Sequence, residues 1–257
     1  MKVTKVVVEA PIVSFRYPHF LIGRQISYDM PPPSTIYGHI ASAVGDWFDP
    51  GLVRFAYQFT FQSRGSDLEH QHVISRPPSV RGTSFRTLEG EFPAAVVGNV
   101  QPHLRDYLYD CTLILYVDPA RMAHAFRNPT FCVNLGRSQD LATIVSVQEV
   151  ELIKAEGAYL EKTLLPFSMR KYLGRGFTVL MPRYISPPPE RDPSFSRYIV
   201  LHDRVFAGQV RESLPRLLEY DEERKREWWV DPTSPMKEGV HLAPVFQSFL
   251  GEGEGDV

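Results

Sequence analysis

Leu135-Gly136-Arg137-Ser138-Gln139-Asp140-Leu141 places a guanidinium between a glycine and a serine, where a strand-like run gives way to a turn. Backbone N–H groups freed at such a corner, joined by Arg137, suit a phosphate. The same residues also suit a plain connection in which Ser138 caps the turn and Arg137 points outward. Arg64, Arg76, Arg81 and Arg86, interspersed with His70, His72 and Phe85, mix cations with an aromatic ring. That composition fits backbone contacts and base stacking on single-stranded RNA, and equally a solvated loop. His70 and His72 would share one side of a strand, as metal ligands can. They have no second pair, no Cys-x-x-Cys and no third ligand at useful spacing, so they read as facing solvent or phosphate, with no metal or cofactor assigned. Gly174-Arg175-Gly176 is either a tight turn entering the next strand or a backbone that approaches a phosphate or sugar. The chain contains neither a Gly-x-Ser-x-Gly nucleophile elbow nor a Walker loop.

These residues need elements to position them. Val3 to Glu9 reads as a strand, and 12–28 as an irregular extended segment carrying Arg16, His19 and Arg24. Pro31-Pro32-Pro33 brings the chain to Ser34 extended, and Ser34 is placed to cap a helix from about Thr35 to Phe48. Ile36, Ile40, Ala43 and Trp47 make one apolar stripe of that helix. Gly38, Ala41, Ser42 and Gly45 make an opposite, nearly bare stripe that another backbone, protein or nucleic acid, can approach. Val53, Phe55, Tyr57, Phe59 and Phe61 alternate with more polar neighbours, the pattern of a half-buried strand. Residues 63–92 are polar and punctuated by glycine and proline, as expected of a functional excursion, often an extended hairpin. A central strand follows at Tyr109 to Val117, apolar on both faces. Asp118-Pro119 starts a short helix to Arg127, and strands at Phe131 to Leu135 and Thr143 to Leu152 come next. The order is strand, helix, strand, insertion, strand, helix, strand, a ferredoxin-like βαββαβ arrangement of α+β class. Beyond it, Phe177 to Tyr184 and Tyr198 to His202 look like strands, Pro187-Pro188-Pro189 reads as a linker or rigid turn, and Pro215 interrupts any helix over 209–227.

At 257 residues, with 43% apolar and 23% charged residues, the composition is that of an ordinary soluble protein. No apolar run approaches the roughly 20 residues that span a bilayer, and the first residues lack the pattern of a signal peptide. Cys111 and Cys132 are expected to be buried free thiols, which fits a cytoplasmic protein. A formal charge of −2 weighs against an independent nucleic-acid binder. The charge is uneven, however: residues 64–86 carry four arginines against two acids, and 219–231 six acids against three bases. A locally basic, globally neutral chain suits either a subunit that shares a polyanion with partners or an ordinary enzyme. The organisation expected is 1–155 with an insertion at about 63–92, a β-rich region over 156–250, and a disordered acidic tail, 251–257.

Ser14-Phe15-Arg16-Tyr17-Pro18, the Pro-Pro-Pro-Ser-Thr-Ile-Tyr-Gly junction at 31–38 and Leu135-Gly136-Arg137-Ser138 occur in an order that resembles one family. It is CRISPR-associated protein family 5, the RAMP-superfamily subunit of the type I surveillance complex, Cascade. The resemblance is good over about 1–155 and loose afterwards. It implies a ferredoxin-like (RRM-like) domain with a thumb-like β-hairpin. It also implies a non-catalytic subunit that binds and caps the 5′ handle of CRISPR RNA (crRNA), beside backbone and large subunits, and that meets target DNA through the complex. On that basis Arg16, Arg24, Arg64, Arg76, Arg81, Arg86, Arg137 and Ser138 are expected RNA contacts. Ser34 and Tyr37, at the exposed start of the helix, would shape the pocket. One branch of the family instead cuts precursor RNA without metal, using a tyrosine, a lysine and a histidine. Tyr37 falls near that tyrosine, but no Lys-His dipeptide is present here, so the resemblance favours the non-cutting branches. Acidic stretches would face basic partner proteins.

Overall fold

A computed structural model of the chain describes residues 1–19, 23–75, 84–87, 90–93, 96–210, 215 and 227–251, with side chains from 73 to 98 excepted. The expectations for Arg76, Arg81, the side chain of Arg86 and the tail at 252–257 therefore lie outside the described residues.

Strand β1 (Lys2–Val13) leads through the two-residue β2 (Arg24–Gln25) to helix α1 (Pro33–Val44) and strand β3 (Arg54–Thr60). The excursion is a long hairpin: β4 (Ser63–Ser75) and the outer half of β7 (Val96–Asp118) pair from Ser63↔Tyr109 outward, with β5 (Ser84–Thr87) and β6 (Gly90–Pro93) pairing between them. Helix α2 (Ala123–Arg127) and strand β8 (Thr143–Glu151) complete the ferredoxin-like unit. Its strands lie in the order β3-β7-β1-β8, all antiparallel, as that fold requires. The valines of β1 alternate between Val6 and Val8 on the helical side and Val3 on the other, and β7 is apolar on both faces because both are covered.

The region after 155 joins the main sheet with some of its strands and forms small separate sheets with others. Following β9 (Ile153–Ala155) and β10 (Gly157–Leu160), strand β11 (Thr163–Pro166) comes alongside β3. Strands β12 (Phe177–Ile185) and β13 (Pro193–Leu201) then extend the same sheet to β12-β13-β11-β3-β7-β1-β8. The junction is held by Thr163 Oγ1 donating to Tyr57 O at 2.7 Å and Phe59 N to Lys162 O at 2.8 Å. Strands β14 (Val205–Gly208), β15 (Trp228–Val230) and β16 (His241–Leu242) surround a second core of Leu160, Leu165, Ile199, Val205, Val230 and Val245, and β17 (Gln247–Ser248) returns to β3. A third core joins the two halves: Tyr159, Phe206 and Leu242 cover Val3, Ala56, Tyr116 and Val150. Over these strands, the sheet face opposite the helices, which an RRM leaves open for bases, is occupied by the chain itself. Among the described residues no helix is long and apolar enough to cross a membrane.

Several local expectations are corrected. Pro33, not Thr35, begins α1, with Pro32 as N-cap and no side-chain cap. Proline lacks the N–H that a cap would satisfy and brings φ already near the helical value, so the helix starts one residue before Ser34. Gly45, at φ +91°, ends it. Trp47 therefore lies past the helix, 44% exposed, whereas Ile36, Ile40 and Ala43 are buried as expected. The end of the bare stripe is filled by protein: Thr130 N donates to Ala43 O (3.1 Å) and Phe131 N to Ser42 O (3.3 Å). Residues 131–135 form no strand, only an isolated Asn134↔Leu141 bridge, because this stretch commits its backbone groups to α1 and to the turn after it. The short helix to Arg127 opens as a 3-10 turn, and Asp118 serves as the ion-pair partner of Arg54 (2.8 Å) rather than as its cap. Cys111 is buried as expected, but Cys132 is exposed. Gly174-Arg175-Gly176 is a turn: Gly176 has φ +94°, and a Cβ there would meet Val200 O at 2.9 Å.

Candidate nucleic-acid interface

The root of the hairpin is where the charged residues gather. Ser14 and Phe15 leave β1 and are pinned at once, Ser14 Oγ donating to Asp106 O (2.8 Å) and Phe15 N to Ser27 Oγ (2.9 Å). The two arms of the 14–28 segment then lie together, with Tyr17 stacked on Tyr28 at 3.6 Å and the Tyr28 hydroxyl donating to Leu180 O. Arg16 projects from this frame, exposed and without an ion-pair partner among the described residues. Arg24, 62% exposed at its side chain, leans on the buried Asp106 through Nε and Nη2 at 3.2 and 3.1 Å. Arg64 pairs with Asp29, which also meets His202 Nε2 at 3.2 Å. Burial, Lys162 and Arg64 lower the pKa of His202. Strand alternation puts Arg64, Ser66, Leu68, His70 and His72 on one face of the hairpin, and Gly65, Asp67, Glu69 and Gln71 on the other. His70 and His72 are both exposed, and the described residues contain no group of three metal-ligating side chains.

The 135–141 corner is built differently from the expectation. Asp140, fully buried, accepts at Oδ2 from the backbone N–H groups of Ser14 and Arg137, both at 3.1 Å. Its Oδ1 takes Arg137 Nη2 at 2.6 Å. Arg137 is thus turned inward, 18% exposed, with Nη1 3.4 Å from Glu69 and its guanidinium 4.9 Å from the Tyr107 ring. Burial opposes its charge, but Asp140 and Tyr107 hold its pKa above the ordinary arginine value. Among the described residues Ser138 caps no backbone group, and its hydroxyl reaches only Gln139 Oε1, at 3.5 Å. Asp140 does the capping because its carboxylate takes two backbone donors and the guanidinium together. His39 of α1 fixes the corner from behind, with Nδ1 2.9 Å from Asn134 O. The sequence signals for these partners are an Asp three residues after Arg137 and a His one turn after Thr35.

Set against known proteins, residues 4–207 match the family model described as CRISPR-associated protein (Cas_Cas5). The chain belongs to the Cas5 family. Its members are RAMP-superfamily subunits of CRISPR surveillance complexes. The match runs well beyond the 1–155 of the sequence resemblance. No curated protein sequence matches. Among solved structures, a chain of a "CRISPR RNA-guided surveillance complex" aligns with a TM-score of 0.51 at 14% identity, covering 87% of this chain and 97% of that one. A chain of a type III-B Cmr-beta complex bound to cognate target RNA gives 0.48 at 11%, covering 77% and 84%. A CRISPR protein from Archaeoglobus fulgidus gives 0.38 at 10%, covering 79% and 87%. At such identities the first likeness shows the fold.

The helix-start expectation fails for this Cas5-family chain. Tyr37 is 2% exposed, packed by Phe48, Tyr184 and Phe249, and its hydroxyl donates to Phe48 O at 2.7 Å. It is buried because its position is one step round the helix from Ile36 and Ile40, inside the core arc. Burial and the neighbouring Tyr184 push its pKa up, the wrong direction for a base that activates a 2′-hydroxyl. Ser34 is half-buried in the first turn of α1. The structure brings Arg16, Arg24 and Arg64 to the hairpin root, and Arg137 to its other face; Ser34 and Tyr37 belong with the core helix.

Proposed function

We propose that this Cas5-family chain is a non-catalytic subunit that binds the 5′ handle of crRNA and caps one end of a Cascade-type complex. Backbone RAMP subunits and the large subunit are its protein neighbours, and target DNA is met through the assembly. The observation that carries the reading is the collection of Arg16, Arg24 and Arg64 at the root of the long hairpin, beside the Tyr17–Tyr28 stack. Guanidiniums on an aromatic-bearing frame suit phosphates and unstacked bases of a single strand. The sheet face used by an RRM is largely filled here by the chain's own 156–250 region, so a strand of RNA must run along the hairpin root instead.

The test is binding of a labelled repeat-derived RNA handle to the full chain, followed as a function of salt. Arg16→Glu with Arg24→Glu should weaken binding by about tenfold or more and flatten the salt slope by about one for each phosphate no longer neutralised. Unchanged affinity and slope would remove the assignment. Incubating the same RNA with the chain in EDTA separates this reading from the endoribonuclease branch, which requires specific cleavage.

A further inference from the structure

Glu69 sits between two arginines. Its Oε2 meets Arg105 Nε and its Oε1 faces Arg137 Nη1 at 3.4 Å. The remaining donors of Arg105 have no partner among the described residues, although the side chain is only 9% exposed. Two cations and two anions, Arg105, Arg137, Glu69 and Asp140, leave this cluster neutral. Asp140 is a fixed part of the corner, since it also holds the backbone of Ser14 and Arg137. Glu69 is not fixed in this way: it reaches in from the hairpin strand β4, its side chain is 29% exposed, and it makes no other side-chain hydrogen bond or ion pair among the described residues. Without it the cluster carries one net positive charge.

His103 is the second observation. It stands directly across the hairpin from Glu69 and on the same face as Arg105 and Tyr107. It is 2% exposed, yet neither ring nitrogen has a hydrogen-bond partner among the described residues. An imidazole buried with both polar atoms unanswered is costly. The cluster therefore offers free guanidinium donors, an unanswered imidazole and an aromatic ring, Tyr107, under Arg137.

We propose that Arg105, Arg137 and His103 form a site for one phosphodiester of RNA, and that Glu69 is an internal anion holding the site in the free protein. A carboxylate and a phosphodiester each present two anionic oxygens to guanidinium forks. Exchange of one for the other restores neutrality and frees Glu69 to solvent. The inference rests on the RNA-binding reading above, and it adds a regulated phosphate subsite on the other face of the hairpin from Arg64.

Two arms test it on the full chain. In the first, Glu69→Gln should bind the labelled repeat-derived RNA about tenfold more tightly than the wild type, the equivalent of one charge-assisted hydrogen bond. Adding Arg105→Gln should abolish that gain. In the second, inorganic pyrophosphate should raise the melting temperature of Glu69→Gln and leave that of the wild type nearly unmoved. Equal or weaker RNA binding by Glu69→Gln, or a gain that survives Arg105→Gln, would overturn the proposal. If neither chain binds RNA, the RNA reading falls and the pyrophosphate arm decides the anion site: stabilisation of Glu69→Gln alone upholds it, and none defeats it.

Discussion

Arg137 and Asp140 are joined across a three-residue turn through both backbone and side chain: the backbone N–H of Arg137 donates to the carboxylate at 3.1 Å, its guanidinium donates through Nε and, at 2.6 Å, through Nη2, and Asp140 N donates to Arg137 O at 3.0 Å. The pair makes Arg137 part of the fold before it can be part of any RNA contact. Replacing Arg137 with alanine leaves a buried carboxylate short of its cation, and replacing Asp140 strands Ser14 N–H and the guanidinium together. Asp140→Ala should cost about 2–3 kcal/mol, the range for removing a charge-assisted acceptor while its donors stay behind. Arg137→Ala should cost about 1–2 kcal/mol, since its side chain keeps some solvent. Urea midpoints of the two variants check this, and weaker RNA binding by Arg137→Ala counts as functional only after the stability change is known.

The hydroxyl of Tyr37 has a structural partner, Phe48 O. Tyr37→Phe should therefore lower stability by about 1 kcal/mol and leave handle affinity unchanged, while Tyr37→Ala should cost about 3–5 kcal/mol through the cavity it leaves. Chemical denaturation and RNA anisotropy on the same preparations separate the two effects. A Tyr37→Phe variant as stable as the wild type but unable to bind RNA would return the residue to the interface.

Periodicity makes the ferredoxin-like half readable because each of its elements carries its own signal: alternation in β3, two apolar faces in β7, and the Ile36–Ile40 spacing in α1. What stays hidden depends on pairing at a distance. Nothing local to Thr163 announces that it will sit beside Gln58 and carry the sheet onward. The orientation of Arg137 is hidden for the same reason, since Asp140 is close in sequence but Ser14 and Glu69, which complete its surroundings, lie more than 60 residues away. Arginine in a sequence shows where positive charge is available but not which way each guanidinium turns. A stripe of Ile36, Ile40 and Ala43 alone misplaces Tyr37, because the buried arc of α1 is wider and takes in one further position round the helix.

The two glycines of the bare stripe should respond in opposite directions. A Cβ at Gly38 meets nothing within 4 Å, so Gly38→Ala in the helix interior should gain about 0.5–1 kcal/mol. Gly45 has φ +91°, and a Cβ there comes within 2.6 Å of Thr130 Oγ1. Gly45→Ala should lose about 1–2 kcal/mol from the left-handed backbone alone, and more from displacing Thr130. Thermal melts of both variants suffice, and two shifts of the same sign would contradict the packing of residues 128–131 on the end of α1.

His39 gives the fold a pH dependence whose sign can be worked out. Asn134 O can only accept, so Nδ1 must carry the proton, and the ring is held neutral by burial, which lowers its pKa despite that hydrogen bond. The unfolded chain takes up a proton here near pH 6.5 while the folded chain does not. Stability is therefore complete above that pH and falls below it, by up to about 1.4 kcal/mol per pH unit until the lowered folded pKa is reached. His202, also lowered, adds a slope of the same sign, so the informative quantity is a difference. His39→Gln keeps a donor without the titration; between about pH 7 and 5 its stability should fall less steeply than that of the wild type. Parallel pH profiles for the two proteins would mean that His39 is charged in the fold, or open to water, and that it does not hold the Arg137 corner in the way its geometry implies.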